Sequence, residues 1–383
     1  MSVTTQDSKQ SFVRVAPIEA MPAPLAMTGV IGWMRASLFS GPLNTVLTLL
    51  TIGLIYLIIP PTLDFLIFKA AWTGTDREAC LATAQHPEVG ACWAFVRDRF
   101  FYFIYGSYPI PDRWRVDIFF GMLAIGIVWL LWLEAPRRDL GAIYFFVVVP
   151  IVSYALLNGF ELIGLREVDT SLWGGVLVTI VVSWVGIVFS LPLGILLALG
   201  RRSNLPLIKG LCVGFIELIR GVPLISLLIM ASVMLPLFLP SGMTFDKFLR
   251  AQVAVILFAG AYIAEIIRGG LQSLPKGQFE AADAMGLNYF QKTTLIILPQ
   301  ALRVVIPPLI NTFIGFFKDT SLVLIIGIFD FLNTANQALV DPAWAGYPGE
   351  VYLFAAFVYF CFCYSMSRYS KYLEVELNKG TRR

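Results

Sequence analysis

The sequence predicts an all-α, polytopic membrane protein with about eight transmembrane helices. Three observations carry that expectation. Hydrophobic residues make up 58% of the 383 residues, and mean hydropathy is +0.77. Charged residues make up only 14%, whereas soluble domains hold about a quarter. The apolar residues gather in runs of about 20 or more, the length a helix needs to cross a bilayer. A net charge of +3 calls for no nucleic-acid partner, and 14% aromatic residues suit interfacial anchoring as well as packing.

Residues 1–42 are mixed and polar, with Lys9, Arg14 and Arg35 but no long apolar run. They read as a cytosolic N-terminal segment with one amphipathic turn around 31–39, and a cleaved signal peptide is not expected. Apolar spans follow at about 43–68, 116–134, 140–159, 173–199, 206–239, 251–269, 304–330 and 349–368. Pro60 and Pro61 can kink the first. Eight spans put both termini on one side, and the distribution of Arg and Lys chooses which. Short loops on the N-terminal side carry Arg137 and Arg138, then Arg201, Arg202 and Lys209, then Arg268, Lys276 and Lys292. The opposite short loops carry Arg166, then Lys247 and Arg250, then none between Phe331 and Glu350. Both termini are therefore expected in the cytosol.

The loop at about 69–115 is the one sizeable non-membrane piece, and this topology exports it. It holds Cys80 and Cys92, which suggests a disulfide tying down a small cap, with two unpaired thiols as the alternative. Cys212, Cys361 and Cys363 fall in apolar segments, where cysteine acts as a small hydrophobe.

The connection at about 270–303 holds a short soluble helix with a hard stop. Pro275 and Gly277 interrupt the chain before it, and Gly286 suits the left-handed conformation that ends a helix. Phe279, Ala282 and Met285 give it an apolar face opposite an acidic one. Pro299 suits the first turn of the next helix, where its missing N–H does no harm. The pattern is Glu280-Ala281-Ala282, Gly286 four residues on, nine residues, then Ile296-Ile297-Leu298-Pro299. It resembles the EAA loop of bacterial ABC-importer permeases. The resemblance implies a cytosolic coupling element, Glu280, Ala281, Ala282, Gly286, Ile296, Leu298 and Pro299, that docks on a separate ATPase subunit.

Within that family, residues 173–383 look most like permeases for polar amino acids. The matching phrases are Phe215-Ile216-Glu217-Leu218-Ile219-Arg220-Gly221-Val222-Pro223-Leu224, Ala261-Tyr262-Ile263-Ala264-Glu265-Ile266-Ile267-Arg268-Gly269-Gly270 and Lys318-Asp319-Thr320-Ser321-Leu322. The resemblance implies a type I ABC-importer core of five helices in 173–383, preceded by three accessory helices in 43–172. An extension of that kind resembles the longer permease subunit of general L-amino-acid importers of Gram-negative bacteria. Its implied partners are two ATPase subunits carrying ATP and Mg, a second homologous permease and a periplasmic amino-acid-binding protein. It also implies a bacterial inner membrane, with no cofactor in this chain.

Four residues of the last phrase, Lys318, Asp319, Thr320 and Ser321, fall midway along the seventh expected span. A charge at the bilayer centre costs about 2.5–3.5 kcal/mol on insertion scales, so these must pair or face a wet cavity. They read either as partners for a zwitterionic substrate or as a structural ion pair. Glu217 with Arg220 and Glu265 with Arg268 share the form Glu-x-x-Arg-Gly, each pair on one helical face. They read as part of a charged inner gate, or as interfacial anchors and helix-end salt bridges.

No G-x-x-x-x-G-K-[ST] phosphate loop occurs, so the chain is not expected to be an ATPase or any other enzyme. His86 is its single histidine and no Cys-x-x-Cys occurs, which leaves a metal site without support. The competing class is an ion-coupled secondary amino-acid transporter. That class commonly carries two related halves in one chain, whereas 1–172 and 173–383 do not resemble each other.

Overall fold

The computed structural model describes residues 29–82, 88–161, 164–240, 242 and 245–378. His86, the first basic residues Lys9 and Arg14, and the last ones Lys379, Arg382 and Arg383 lie outside them. Among the described residues, seven helical stretches are long and apolar enough to cross a membrane, and a bent pair makes an eighth. The protein is all-α and multi-pass.

The chain divides into two compact units, Met1–Ala70 and Ala71–Arg383. In the first, helix α1 (Gly29–Ser37) precedes the 22-residue α2 (Pro42–Leu63). Apolar on every face and with no residue buried, α2 is a helix for lipid rather than for a protein core. Pro60 and Pro61 lie inside it, and a π-helical turn, Asp64–Phe68, follows directly.

The second unit begins with the loop before the second span, which carries α3 (Trp93–Asp98) and α4 (Phe100–Tyr105). Cys80 and Cys92 are joined in a disulfide with their Cα atoms 5.6 Å apart. This loop is more than a small cap. Phe95 is fully buried against Trp344, whose indole N–H donates to Asp98 at 2.9 Å, and the Cys92 amide donates to Glu350 at 3.0 Å. It thus packs on the connection before the last helix, about 250 residues further on.

Two spans come next: α5 (Arg113–Leu131), then α6 (Arg138–Ile143), which continues through a π turn into α7 (Val149–Asn158). The expected boundary between accessory helices and core at 172/173 is not where packing divides the chain. Phe119, Leu123, Val149 and Leu157 share one buried cluster with α8 (Gly175–Arg201), and Trp184 lies 5.9 Å from Phe119 and 6.1 Å from Phe145. Buried apolar area decides this, and hydropathy alone does not report which spans share it.

The fifth apolar run is bent. Helices α9 (Pro206–Arg220) and α10 (Leu224–Ile229) meet at Gly221-Val222-Pro223, and the pair turns by 104° before ending in the short α11 (Leu235–Phe238). Pro223 has no N–H to donate and disfavours helical backbone in Val222, so the ladder must break there. Helix α12 (Lys247–Ser273) packs along α8 to form the centre of the bundle, with Ala259, Ile263 and Ile267 fully buried. After α13 (Lys276–Ala284) and α14 (Tyr289–Gln291), a π turn over Lys292–Ile297 leads into α15 (Leu298–Asp319), with Pro299 in its first turn. A 3-10 turn, Thr320–Ile326, and α16 (Phe331–Ala338) then lead to α17 (Pro348–Asn378).

Candidate functional site

The segment between α12 and α15 holds a capped helix standing out from the bundle. In α13 only Ala282 is buried; Glu280, Ala281 and Ala284 are exposed, as are Met285 and Gly286 beyond it. Gly286 takes φ +73°, its amide donating to the Asp283 carbonyl at 3.0 Å, while the Leu287 amide donates to Ala282 at 3.3 Å. These bonds satisfy carbonyls that the helix end would otherwise leave open. A capping box then opens α14: the Gln291 amide donates to the Asn288 side chain at 2.8 Å, and the Asn288 amide donates back to Gln291 at 3.1 Å. Lys292 pairs with Asp283 at 2.5 Å across the turn.

The seat of the helix is built from both sides. Gln300 on α15 donates to Gln278 at 3.0 Å. The Arg202 guanidinium lies 5.4 Å over the Phe279 ring and donates to the Leu271 carbonyl at 2.9 Å. Ile296 and Leu298 are half-buried, and Ile297 is buried in the bundle core. The motif therefore divides by role: its second half anchors, whereas Glu280, Ala281 and Gly286 face outward.

The two Glu-x-x-Arg-Gly phrases converge on one charged cluster. Arg268 clasps Glu265 through its Nε at 2.9 Å and through its terminal nitrogen. Glu265 also receives Arg201 at 3.3 Å and faces Arg220 at 3.8 Å. Glu217 pairs not with Arg220 but with Arg201, at 2.9 Å. Three cations less two anions leave a net +1, shared over the C-terminal parts of α8, α9 and α12. Arg201 and Arg202 had marked sidedness in the sequence and nothing more. In space Arg201 belongs to the cluster and Arg202 to the seat of α13, so adjacent residues connect the two. An Arg pair closing an apolar run was the available signal, but its hydrogen-bond partners Glu265 and Leu271 lie 64 and 69 residues away.

The Lys318–Ser321 group is elsewhere, and it does not sit midway along its helix. It straddles the end of α15, where α-helix gives way to the 3-10 turn. Among the described residues neither Lys318 nor Asp319 makes an ion pair, so the structural pair read from the sequence is not formed. Lys318 is exposed and Asp319 half-buried. The Thr320 hydroxyl is spent on the Phe317 carbonyl at 2.9 Å. Beyond it lies a polar knot that the sequence reading missed. Asp330, fully buried, caps α16 and accepts from the Asn333 amide at 3.2 Å and from the Tyr359 hydroxyl at 3.0 Å. Asn333 donates in turn to the Ser321 carbonyl at 3.0 Å. The Asp before an apolar helix start was its only trace in the sequence. No group of His, Cys, Asp or Glu among the described residues could hold a metal ion.

Comparison with known proteins places this arrangement. The model for binding-protein-dependent transport system inner membrane components matches residues 190–379, a stretch containing α13 and the whole charged cluster. The inner membrane amino-acid ABC transporter permease protein YhdY of Escherichia coli is 47% identical over 359 residues, covering 94% of this chain and 96% of that protein. The chain belongs to this family of amino-acid ABC-transporter permeases. The glutamate/glutamine/aspartate/asparagine transport system permease protein BztC of Rhodobacter capsulatus is 40% identical, covering 98% of this chain and all of that protein. Shorter permeases match only part: the probable glutamine permease GlnP of Bacillus subtilis is 35% identical over 53% of this chain. Among solved structures, an amino acid ABC transporter is 30% identical over 52% of this chain, with a TM-score of 0.46. As a permease, this inner-membrane protein has the charged cluster and the outward-facing helix on the part it shares with the whole family.

Proposed function

We propose that this permease moves polar L-amino acids from periplasm to cytoplasm, driven by ATP hydrolysis on separate subunits that bind α13. The observation that carries the reading is α13 itself: a capped nine-residue helix, buried only at Ala282, between two membrane helices of a permease. Its exposed alanines allow close approach, and the exposed Met285, Tyr289 and Phe290 beside them supply apolar area for a partner. Two ATPase subunits with ATP and Mg, a second homologous permease and a periplasmic binding protein complete the machine in this reading. Both termini and α13 then lie in the cytosol, in line with the Arg and Lys distribution. The name of BztC, an acidic and amide amino-acid permease, supports polar L-amino acids as the cargo class.

Asp319 carries the substrate side of the proposal, being half-buried and without an ion-pair partner among the described residues. In Asp319→Ala, uptake should fall at least about tenfold while the complex still assembles, the effect of losing one charge-assisted bond of roughly 1.5–3 kcal/mol. Loss of assembly with normal transport per assembled complex would assign Asp319 to structure instead. The proposal as a whole is tested in proteoliposomes holding the co-purified complex and binding protein, loaded with ATP or with a non-hydrolysable analogue. ATP-dependent glutamine uptake supports it. Uptake that follows an ion gradient without ATP would return the ion-coupled reading.

A further inference from the structure

A cavity of about 540 Å³ lies between α5, α7, α8 and the start of α12, away from both the charged cluster and α13. Its size is in the range of small-molecule sites, and its wall is mostly apolar, formed in part by Phe119, Leu157, Val181 and Phe248. Four polar side chains on that wall are more than nine-tenths buried and have an atom without a hydrogen-bond partner among the described residues: Ser153 Oγ, Trp173 Nε1, Trp184 Nε1 and Gln252 Oε1. Buried polar atoms normally find partners, so four orphans on one wall are an unusual concentration. Two of them, the indoles, can only donate.

The rim has a definite charge. Glu167, Asp169 and Asp246 line it, all exposed, and no Lys or Arg does. Lys247 borders only the adjoining hollow of about 110 Å³. The rim is held in place: the Thr170 hydroxyl donates to Asp246 at 2.7 Å, and the Arg115 guanidinium donates to the Arg166 carbonyl at 2.7 Å. Hydrogen bonds from Ser171 hold the Asp169 carboxyl below the usual carboxylate range, so it is charged at neutral pH.

Position completes the argument. The rim residues lie between spans, just past the end of α7 and just before the starts of α8 and α12. Beside the opening, Val147 in the π turn and Ile151 and Tyr154 on α7 form an exposed stripe, and Leu249 and Val253 do so on α12. Such stripes face hydrocarbon in a membrane-spanning helix. The cavity is thus acidic at the water boundary, donor-lined inside and open along its flank to lipid.

We propose that this cavity binds a zwitterionic aminophospholipid, with its ammonium at the acidic rim, its ester and phosphate oxygens on the indole N–H groups and Ser153, and one acyl chain along the apolar wall. The ammonium meets Asp169, Glu167 and Asp246, whereas an anionic headgroup would meet three like charges and no cation. The site would lie between the two accessory spans and the family core, joining them through a bound lipid. It is independent of the cargo and of the direction of transport.

The test uses the whole transporter in nanodiscs of equal parts phosphatidylethanolamine and phosphatidylglycerol, with retained lipids read by native mass spectrometry. Phosphatidylethanolamine should be retained about fivefold over phosphatidylglycerol, the factor expected for one exposed carboxylate–ammonium contact. Val181→Trp, which fills the cavity, should abolish that preference. The triple variant Glu167→Gln, Asp169→Asn, Asp246→Asn changes only exposed side chains and should bring the ratio close to one without affecting assembly. A wild-type ratio near one, a preference for phosphatidylglycerol, or a preference that survives both variants would overturn the proposal. So would labelled glutamine binding to lipid-free protein in a way that Val181→Trp abolishes, which would make the cavity an amino-acid site.

Discussion

Replacing Gly286 with valine tests the proposed role of α13 without disturbing the rest of the fold. An added Cβ there would find no atom within 4 Å, so the perturbation is not steric crowding by neighbours. It is conformational: at φ +73° an L-residue is disfavoured by roughly 1–2 kcal/mol, and a β-branched one by more. If the backbone relaxes instead, the bonds from the Gly286 amide to Asp283 and from the Leu287 amide to Ala282 are lost, each worth about 0.5–1.5 kcal/mol. Either route comes to about 2–3 kcal/mol, set against a nine-residue helix whose isolated stability is marginal. Gly286 is exposed, so the bundle core does not share the penalty. ATP-driven glutamine uptake in proteoliposomes should fall by about 30- to 100-fold, since 1.4 kcal/mol is a factor of ten. Membrane insertion and thermal stability should match the parent. Gly286→Asn should retain most activity because asparagine tolerates the left-handed region. Normal uptake by the valine variant, or an asparagine variant no better than valine, would refute the reasoning.

Three further outcomes follow from the geometry. Glu265→Gln takes the charged cluster from +1 to +2 (three cations less one anion), leaving Arg201, Arg220 and Arg268 with Glu217 alone. The loss should be about 1–3 kcal/mol in a detergent-unfolding titration, with Arg201→Gln non-additive in a double-mutant cycle; additive effects would dismantle the cluster. The Cys80–Cys92 bond should prevent alkylation of these two thiols in the native protein and add two alkyl groups to their peptides after reduction, with Cys80→Ser, Cys92→Ser losing about 2–4 kcal/mol from the loop they staple. Burial, and for Tyr105 also its 2.6 Å bond to Asp117, pushes the phenols of Tyr105 and Tyr108 up to about 12, from 10 in an unfolded chain. Their contribution to stability is complete below pH 10 and is lost as pH rises from 10 through 12. Difference absorbance titration of Tyr→Phe variants against the parent should show both ionising well above 10, and ionisation near 10 would contradict their burial.

Hydropathy, end-capping chemistry and charge asymmetry are local quantities, and whatever depends on them was legible in the chain alone. The all-α membrane class is of this kind, as are the ends of α13 at Pro275 and Gly286 and the break at Gly221 and Pro223. Each follows from what one stretch of backbone can do about its own hydrogen bonds in lipid or water. Partner choice is not local. That Glu217 meets Arg201 rather than Arg220 depends on how α8 and α9 cross, and i,i+3 spacing alone suggested the other pairing. Lys318 and Asp319 close α15 just where it tightens into a 3-10 turn, a change that hydropathy does not report. The loop before the second span, read as a small cap, is held by Trp344 and Glu350, more than 240 residues away. The donor-lined cavity combines Ser153, Trp173, Trp184 and Gln252, four unremarkable residues in the sequence. Chain-local physics determined which segments cross the membrane and where α13 begins and ends; the crossing of α8, α9 and α12 decided which distant charges share a cluster, and the packing of α5 and α7 on α8 and α12 decided which buried polar atoms face a common space.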